Sequence, residues 1–166
     1  MIRALALALA LIAASAASAE PQPQIQPLWR MDARHLAADR ALIAACLSHA
    51  TVESSCLGVV QTECANADGS DTTAALRQCG WRAIAAWEDE MAATLGALRA
   101  VPHVDAAALD RAQALWMESM LADVRFSSDL YAGGTMAGVI AAQERAWATA
   151  QRTLWLRAML SAYTQD

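Results

Sequence analysis

The stretch over residues 72–100, TTAALRQCGWRAIAAWEDEMAATLGALRA, decides the fold class of this chain. Its apolar residues recur at intervals close to three and four, which places them on one face of a helix. They are Leu76, Ile84, Trp87, Met91, Leu95 and Leu98. Asp71 or Thr72 can cap the start of this helix, and Val101-Pro102 ends it because a residue before proline avoids the helical conformation.

Four other segments repeat this periodicity, over about residues 32–47, 51–64, 105–126 and 135–163. No stretch alternates apolar and polar residues over six positions, as a half-buried strand would. We therefore predict an all-α fold, a compact bundle of about five helices.

The same spacing predicts which residues of these helices are buried. The first helix has Leu36, Ile43 and Leu47; the fourth has Leu109, Ala112, Trp116 and Met120; the fifth has Met136, Ile140, Trp147 and Leu154. Asp32, Asp105 and Thr135 precede these three helices, and their side-chain oxygens are the predicted N-caps.

The first nineteen residues, MIRALALALALIAASAASA, have the features of a secretory signal peptide. Arg3 precedes an apolar run, and Ala17-Ser18-Ala19 matches the small-x-small pattern of a cleavage site. The run is shorter than the roughly 20 residues that span a membrane, and the alternative is an uncleaved anchor. We expect cleavage after Ala19, a Pro- and Gln-rich leader over residues 20–30, and one helical domain over residues 31–166 of a periplasmic or secreted protein.

Four cysteines, Cys46, Cys56, Cys64 and Cys79, lie close together near the start of the predicted domain. An even number in an exported protein indicates two disulfides. A zinc site is disfavoured because no two of them form a C-x-x-C pair. Cys46 and Cys56 are equidistant from the predicted turn at Thr51, and Cys64 and Cys79 are nearly equidistant from Asp71. We therefore predict Cys46–Cys56 and Cys64–Cys79 over the two other connectivities.

Charge and side-chain chemistry argue against several function classes. With Lys+Arg 12 and Asp+Glu 17, the net charge of −5 disfavours nucleic acid and anionic membranes and permits a basic protein partner. His35, His49 and His103 lack the spacing of metal ligands, so we expect exposed histidines and no metal or cofactor. The acidic run Glu88-Asp89-Glu90 spreads over a wide arc of its helix, which predicts a solvated face and not a catalytic pair. We do not expect an enzyme.

Several short motifs follow one another in an order that is more specific than composition. C-x9-C-x7-C is followed by T-T-A-x4-C, Trp87-Glu88, Ala112-Gln113-x-x-Trp116, Gly133-Gly134-Thr135 and Thr149-x-x-Arg152-x-Leu154. Over about residues 46–157, this order resembles the LprI-like lysozyme-inhibitor family of exported bacterial proteins. The resemblance implies a protein that binds and inhibits a muramidase, a basic lysozyme-type partner. The alternative is a structural or adaptor module of the cell envelope without lysozyme binding.

The chain also departs from the pattern that this resemblance implies. Where the family has W-D-x-x-L-N-x-x-Y, this sequence has Ala92 and Leu95 in place of the Asn and Tyr. Where the family has an Arg-Asp pair followed by Cys, Met120, Leu121 and Val124 stand here, and Glu144 lies near the place of the partner cysteine. The resemblance thus implies a third disulfide that this chain lacks together with a polar network, which puts any activity that depends on them in doubt.

The family-like residues Trp87, Gln113, Trp116, Thr149 and Arg152 are predicted to be structural. Gln113 and Trp116 share a helix face, so Trp116 can fill the core while Gln113 bonds a helix end or a loop. Two other tryptophans, Trp81 and Trp155, fall off the apolar stripes of their helices, which indicates a partner surface or a second packing layer.

Gly133-Gly134 is predicted to make the turn between the fourth and fifth helices, since glycine adopts a positive φ without steric cost. Loops carry binding residues more often than the helices that hold them. Our hypothesis is that Asp129, Tyr131, Gly133 and Gly134 border a partner surface, with Asp129 meeting a basic group. The alternative is a hinge without a binding role.

Overall fold

The computed structural model describes residues 33–67 and 71–164, and these ranges contain helices and no strand. The helices are α1 (Ala33–His49), a 3₁₀ helix (Glu53–Cys56), α2 (Val59–Ala65), α3 (Thr73–Arg99), α4 (Ala106–Asp129) and α5 (Ala137–Thr164). The predicted all-α fold is therefore confirmed. The expected signal peptide, the Pro- and Gln-rich leader and the Asp32 cap lie outside the described residues.

Two helices begin at the residues that the sequence predicts. Thr72 Oγ1 accepts a hydrogen bond from the amide of Ala75 at the start of α3 (3.1 Å). Asp105 Oδ1 accepts one from the amide of Ala108 at the start of α4 (3.0 Å). Each side chain satisfies an amide that the first helical turn leaves unpaired.

Other boundaries differ from the prediction. The segment expected as one short helix over 51–64 is a 3₁₀ helix and then α2, with Gly58, a poor helix former, at the N-cap of α2. The Thr135 cap is wrong by one residue, because the Met136 carbonyl accepts the amides of Val139 and Ile140 as α5 begins. α4 continues to Asp129, past its predicted end at Phe126.

Both predicted disulfides are present. Cys46–Cys56 joins α1 to the 3₁₀ helix across a Cα–Cα distance of 5.8 Å. Cys64–Cys79 joins α2 to α3 across 5.5 Å. Each loop that these bonds close restricts the unfolded chain, so both disulfides stabilise the folded state. Cys64–Cys79 is the one that attaches an N-terminal element, α2, to α3.

α5 packs along α3 on one side and against α4 on another, while α3 also contacts α1 and α2. The predicted buried face of α5 is wrong at Met136 and Trp147, which are exposed, whereas Ile140 and Leu154 are half-buried and Leu154 packs against the core. Its buried residues are mostly small: Val139, Ala142, Ala146, Thr149, Ala150, Thr153 and Leu156. Small side chains let two helix backbones approach closely, so this face suits a helix that is packed on two sides better than a stripe of large residues would.

α3 and α5 approach each other closely at Gly80. A Cβ atom built on Gly80 would lie 2.7 Å from the Cβ of Ala142 and 3.2 Å from its carbonyl carbon. Both distances are too short for ordinary contact, and backbone atoms cannot move as a side-chain tip can. The glycine at this position therefore follows from the packing of the two helices.

We expect Gly80→Ala to lower the free energy of unfolding by about 1–2 kcal/mol, because the steric cost of overpacking exceeds the helix propensity that alanine adds. Gly96→Ala on the same helix is the matched control, since a Cβ there meets nothing within 4 Å. This control should raise stability by up to about 1 kcal/mol. Urea unfolding followed by circular dichroism measures both, and equal effects of the two substitutions would contradict the close approach.

The core has two clusters along α3 and α5. The first contains Ile43, Leu57, Val60, Ile84 and Trp87 with small residues of α3 and α5. The second contains Met91, Leu95, Leu98 and Leu156. Leu36 and Leu47 pack against the first cluster, so the predicted apolar faces of α1 and α3 are confirmed. Within the described part of the chain, no helix has the length and apolar character needed to span a membrane.

Candidate functional site

The residues with the family-like spacing meet where α3, α4 and α5 come together. Gln113 Nε2 on α4 donates a hydrogen bond to the sulfur of Met91 on α3 (3.3 Å). Arg152 Nε on α5 donates to Gln113 Oε1 (3.1 Å). Gln113 therefore bonds to side chains of two neighbouring helices, α3 and α5. The predicted bond to a helix end or a loop is not the one it makes.

Arg152 lies between two tryptophan rings. Its guanidinium carbon is 4.4 Å from the centre of the Trp155 ring and 5.6 Å from that of Trp116. Burial lowers the pKa of Arg152, because desolvation disfavours the charged form. Trp116 is half-buried and packs against the second core cluster, whereas Trp155 is 49 % exposed. The two rings therefore hold the guanidinium of Arg152 in place, and part of the Trp155 side chain remains at the surface.

Trp87 and Thr149, the other two family-like residues, are fully buried. Thr153 Oγ1 donates to the carbonyl oxygen of Thr149 (2.8 Å), and the Trp87 carbonyl lies 3.4 Å from the same hydroxyl. Neither side chain can contact a partner from this position. Trp81, by contrast, packs at the edge of the first core cluster with Arg145 above its ring, which makes it part of a second packing layer.

The acidic run on α3 is engaged in ion pairs. Glu88 pairs with Arg145 and Glu90 with Arg157, both on α5. Asp89 pairs with Arg40 on α1. The expected solvated face is thus a set of bridges between helices, and its carboxylates are not arranged as a catalytic pair.

A groove of about 420 Å³ runs between α4 and α5. We call it the α4–α5 groove; its walls include Trp116, Met120, Asp123 and Val124 from α4 and Glu144, Trp147, Gln151 and Arg152 from α5. Val124 and Glu144, where the family resemblance implies a disulfide, therefore face the same space. A valine and a glutamate leave this space open, since they form no bond across it.

Trp147 lies between this groove and a second one of about 460 Å³. The second groove is lined by Gly58, Gln61, Thr62, Gln143, Glu144 and Trp147. Trp147 is 46 % exposed, which contradicts its predicted place in the core. The sequence shows no sign of this, because the helical spacing of Trp147 suits a buried stripe.

The turn between α4 and α5 is exposed throughout. Gly133 has a φ of +83°, the left-handed conformation expected of a glycine after a helix end. Asp129 is the last residue of α4, and Tyr131 is 47 % exposed. We call Asp129, Tyr131, Gly133 and Gly134 the turn surface; the structure brings them together at one end of the bundle.

Large apolar side chains surround the turn surface. Phe126, Leu130 and Met136 are all exposed. Asp123, Phe126 and Leu130 follow one another at spacings of three and four, so they form one stripe along α4 and its C-cap residue. This stripe begins on the wall of the α4–α5 groove and ends at the turn. An exposed apolar patch next to a groove is characteristic of binding surfaces in soluble proteins.

The three histidines lie outside these surfaces. His35, His49 and His103 are exposed, as expected. Among residues 35–67 and 71–164, no group of three or more His, Cys, Asp or Glu side chains could hold a metal ion.

The sequence matches the model of a known protein family. The family model described as lysozyme inhibitor LprI matches residues 64–156, more than half of the chain. The chain belongs to the LprI family. The match begins at Cys64, so α1 and the Cys46–Cys56 disulfide lie before it. The sequence resemblance described above begins earlier, at residue 46. It includes the turn surface and both walls of the α4–α5 groove. The family is described by inhibition and not by a reaction of its own.

No match was found among curated proteins or among solved structures. The family and the two disulfides fit an extracellular or periplasmic protein, because disulfides persist in oxidising compartments.

Proposed function

We propose that this protein is an exported inhibitor that binds a muramidase of the lysozyme type and blocks its activity. Membership of the LprI family, described as lysozyme inhibitors, carries the proposal. The sequence of residues 1–19 supports export with cleavage after Ala19, and the two disulfides suit the periplasm or the exterior. The chain then acts as a binding protein without a cofactor.

The distribution of charge supports a basic partner. The carboxylates of α3 are neutralised by arginines of neighbouring helices. Four acidic residues on α4 and α5, Glu118, Asp123, Asp129 and Glu144, have no ion-pair or hydrogen-bond partner in the described ranges. Asp123 and Glu144 line the α4–α5 groove and Asp129 belongs to the turn surface, whereas the two arginines of α4 without an ion pair in the described ranges, Arg111 and Arg125, do not line either groove. Complementary charge accelerates association with a basic protein and disfavours acidic ones.

The turn surface supplies the contacts in this proposal. Asp129 meets a basic group of the partner, and the ring of Tyr131 lies flat against it. Gly133 and Gly134 lack side chains, so a partner can approach the backbone closely. The exposed Phe126 and Leu130 add apolar area beside them, and aromatic side chains contribute strongly to interface energies.

A turbidity assay tests the proposal directly. Purified mature protein, residues 20–166, is added to a strongly basic c-type lysozyme acting on a bacterial cell-wall suspension. We expect the clearing rate to fall in a saturable way that approaches one inhibitor per enzyme, with a complex detected by calorimetry. Unchanged clearing rates for this lysozyme and for muramidases of other types would reject inhibition.

The role of the turn surface makes a more specific prediction. Asp129→Ala combined with Tyr131→Ala should weaken lysozyme inhibition about tenfold or more, because an interfacial charge and an aromatic contact are lost together. Glu63→Ala combined with Tyr163→Ala is the matched control, since it also removes one exposed acid and one exposed tyrosine but from α2 and from the end of α5. Inhibition constants are compared after circular dichroism shows that both variants are folded. Equal inhibition by the two variants would make the turn a hinge without a binding role.

An adaptor of the cell envelope is the alternative function. The Pro- and Gln-rich composition of residues 20–30 favours it, since that composition suits a tether. An adaptor would bind an envelope component and leave the clearing rate of every muramidase unchanged.

A further inference from the structure

Two unpaired carboxylates face the same groove. Asp123 on α4 and Glu144 on α5 line the α4–α5 groove from opposite walls. Neither has an ion-pair or hydrogen-bond partner in the part of the chain that the structure describes. The carboxylates of Glu88, Asp89 and Glu90 differ in this respect, because each of them is bound by an arginine.

The register of the two helices brings Asp123 and Glu144 to nearly the same level. Ser128 Oγ donates to the carbonyl oxygen of Ala137 at the turn end of the helix pair (3.4 Å), which aligns these two residues. Asp123 lies about 7 Å along α4 from Ser128, and Glu144 about 10 Å along α5 from Ala137, at a rise of 1.5 Å per residue. Asp123 and Glu144 therefore differ by only about 3 Å in their positions along the helix pair.

The arginine that lines the groove, Arg152, is bound by other residues. Arg152 is on the same wall as Glu144 but lies about 12 Å farther along α5, away from the turn surface. Its guanidinium is bound to Gln113 and stacked on Trp155 and Trp116. The half of the groove near the turn is thus acidic, with the exposed ring of Trp147 beside it.

We infer that this half of the groove is a receptor for an arginine or lysine side chain of the protein partner. Asp123 and Glu144 accept hydrogen bonds from its charged head, and Trp147 covers its apolar stem or contacts the cation through the ring face. The inference rests on the proposed function for the identity of the partner and names the chemistry by which that partner is recognised. The stripe of Phe126 and Leu130 continues from this receptor to the turn surface, so one partner can occupy both.

The receptor can be tested with a peptide and without a muramidase. Acetyl-Gly-Arg-Gly-amide is titrated into ¹⁵N-labelled mature protein, with the citrulline peptide as an uncharged control of the same shape. We expect the arginine peptide to shift the backbone amides of Asp123 and Glu144 and the indole N–H of Trp147, and the citrulline peptide to leave them unchanged. Equal responses to the two peptides, or no response at these groups, would overturn the inference.

Substitutions that remove charge but keep shape identify the carboxylates involved. Asp123→Asn combined with Glu144→Gln should weaken binding of the arginine peptide about tenfold or more, because both charged acceptors are lost. The control is Glu118→Gln, an exposed acid of α4 that does not line the groove. An unchanged affinity in the double variant, or an equal loss in the control, would overturn the inference.

The result for the peptide and the result for the lysozyme are independent. Peptide binding at the groove without lysozyme inhibition would keep the receptor and reject the proposed function. Inhibition without peptide binding would keep the function and reject the receptor.

Discussion

Replacing Asp39 with alanine should lower the free energy of unfolding by about 3–5 kcal/mol, the cost of leaving one partner of a buried ion pair uncompensated. Asp39 on α1 is completely buried, and its two oxygens accept hydrogen bonds from Arg82 on α3 at 2.9 and 2.6 Å. The hydrogen bond to Asp39 raises the pKa of Arg82. An arginine stays protonated even without a partner, so Asp39→Ala leaves its guanidinium charged and unpaired. Urea unfolding followed by circular dichroism gives the value.

The chain offers a closely matched control for this prediction. Arg40 and Asp89 also join α1 to α3 through an arginine and an aspartate, at 2.9 Å, but their side chains are 56 % and 40 % exposed. Asp89→Ala should therefore cost less than about 1 kcal/mol. The double variant Asp39→Ala with Arg82→Ala should cost less than the sum of the two single variants, since no buried charge is then left unpaired. A small effect of Asp39→Ala, similar to that of Asp89→Ala, would contradict the prediction.

Local signals in the sequence predict much of this fold. Thr72 and Asp105 cap α3 and α4 because a side-chain oxygen one residue before a helix satisfies a free amide, whatever the tertiary structure. The cysteine connectivity follows from distances along the chain to two turns. Gly133 has a positive φ at a helix end, where few other residues are tolerated. These features depend on neighbours in the sequence.

Some features that depend on packing between helices are not predicted. Hydrophobic spacing gives the most weight to large side chains, so it chose Trp147 for the buried face of α5 and missed Ala142 and Ala146. Helices that approach closely need small residues at the contact, and Gly80 on α3 is the counterpart of Ala142. The burial of Asp39 is not predicted for a related reason. It lies between Leu36 and Ile43 on the buried face of α1, but its partner Arg82 is on another helix, and the sequence does not show which residue pairs with it.

One part of the candidate site is predicted from the sequence and the other is not. The turn surface is contiguous in the sequence, so its four residues are predicted together and lie together in the structure. The α4–α5 groove is not predicted, because Asp123 and Glu144 come to face one groove only through the register of two antiparallel helices. The absent third disulfide was a signal for it, since Val124 and Glu144 are the positions concerned and both line the groove.

Trp87 makes the largest contribution of any side chain to the first core cluster. It is completely buried among Ile43, Ile84 and small residues of α5. Its indole nitrogen has no hydrogen-bond partner among the groups in the described ranges. The ring thus contributes apolar burial, while its N–H opposes stability by about 1–3 kcal/mol, the cost of a buried donor without an acceptor.

Trp87→Ala should therefore lower the free energy of unfolding by about 3–5 kcal/mol, because it opens a cavity in the core. Trp147→Ala removes the same side chain from a position that is 46 % exposed and should cost less than half as much. Trp87→Phe keeps the protein folded enough to measure if the alanine variant does not fold. It should cost less than about 2 kcal/mol, since the smaller ring loses contacts but also removes the unpaired N–H. Urea unfolding of the three variants ranks them, and a cost for Trp147→Ala equal to that of Trp87→Ala would show that Trp87 does not carry the core. The same Trp147→Ala variant should lose binding of the arginine peptide, so the two tryptophans separate stability from recognition.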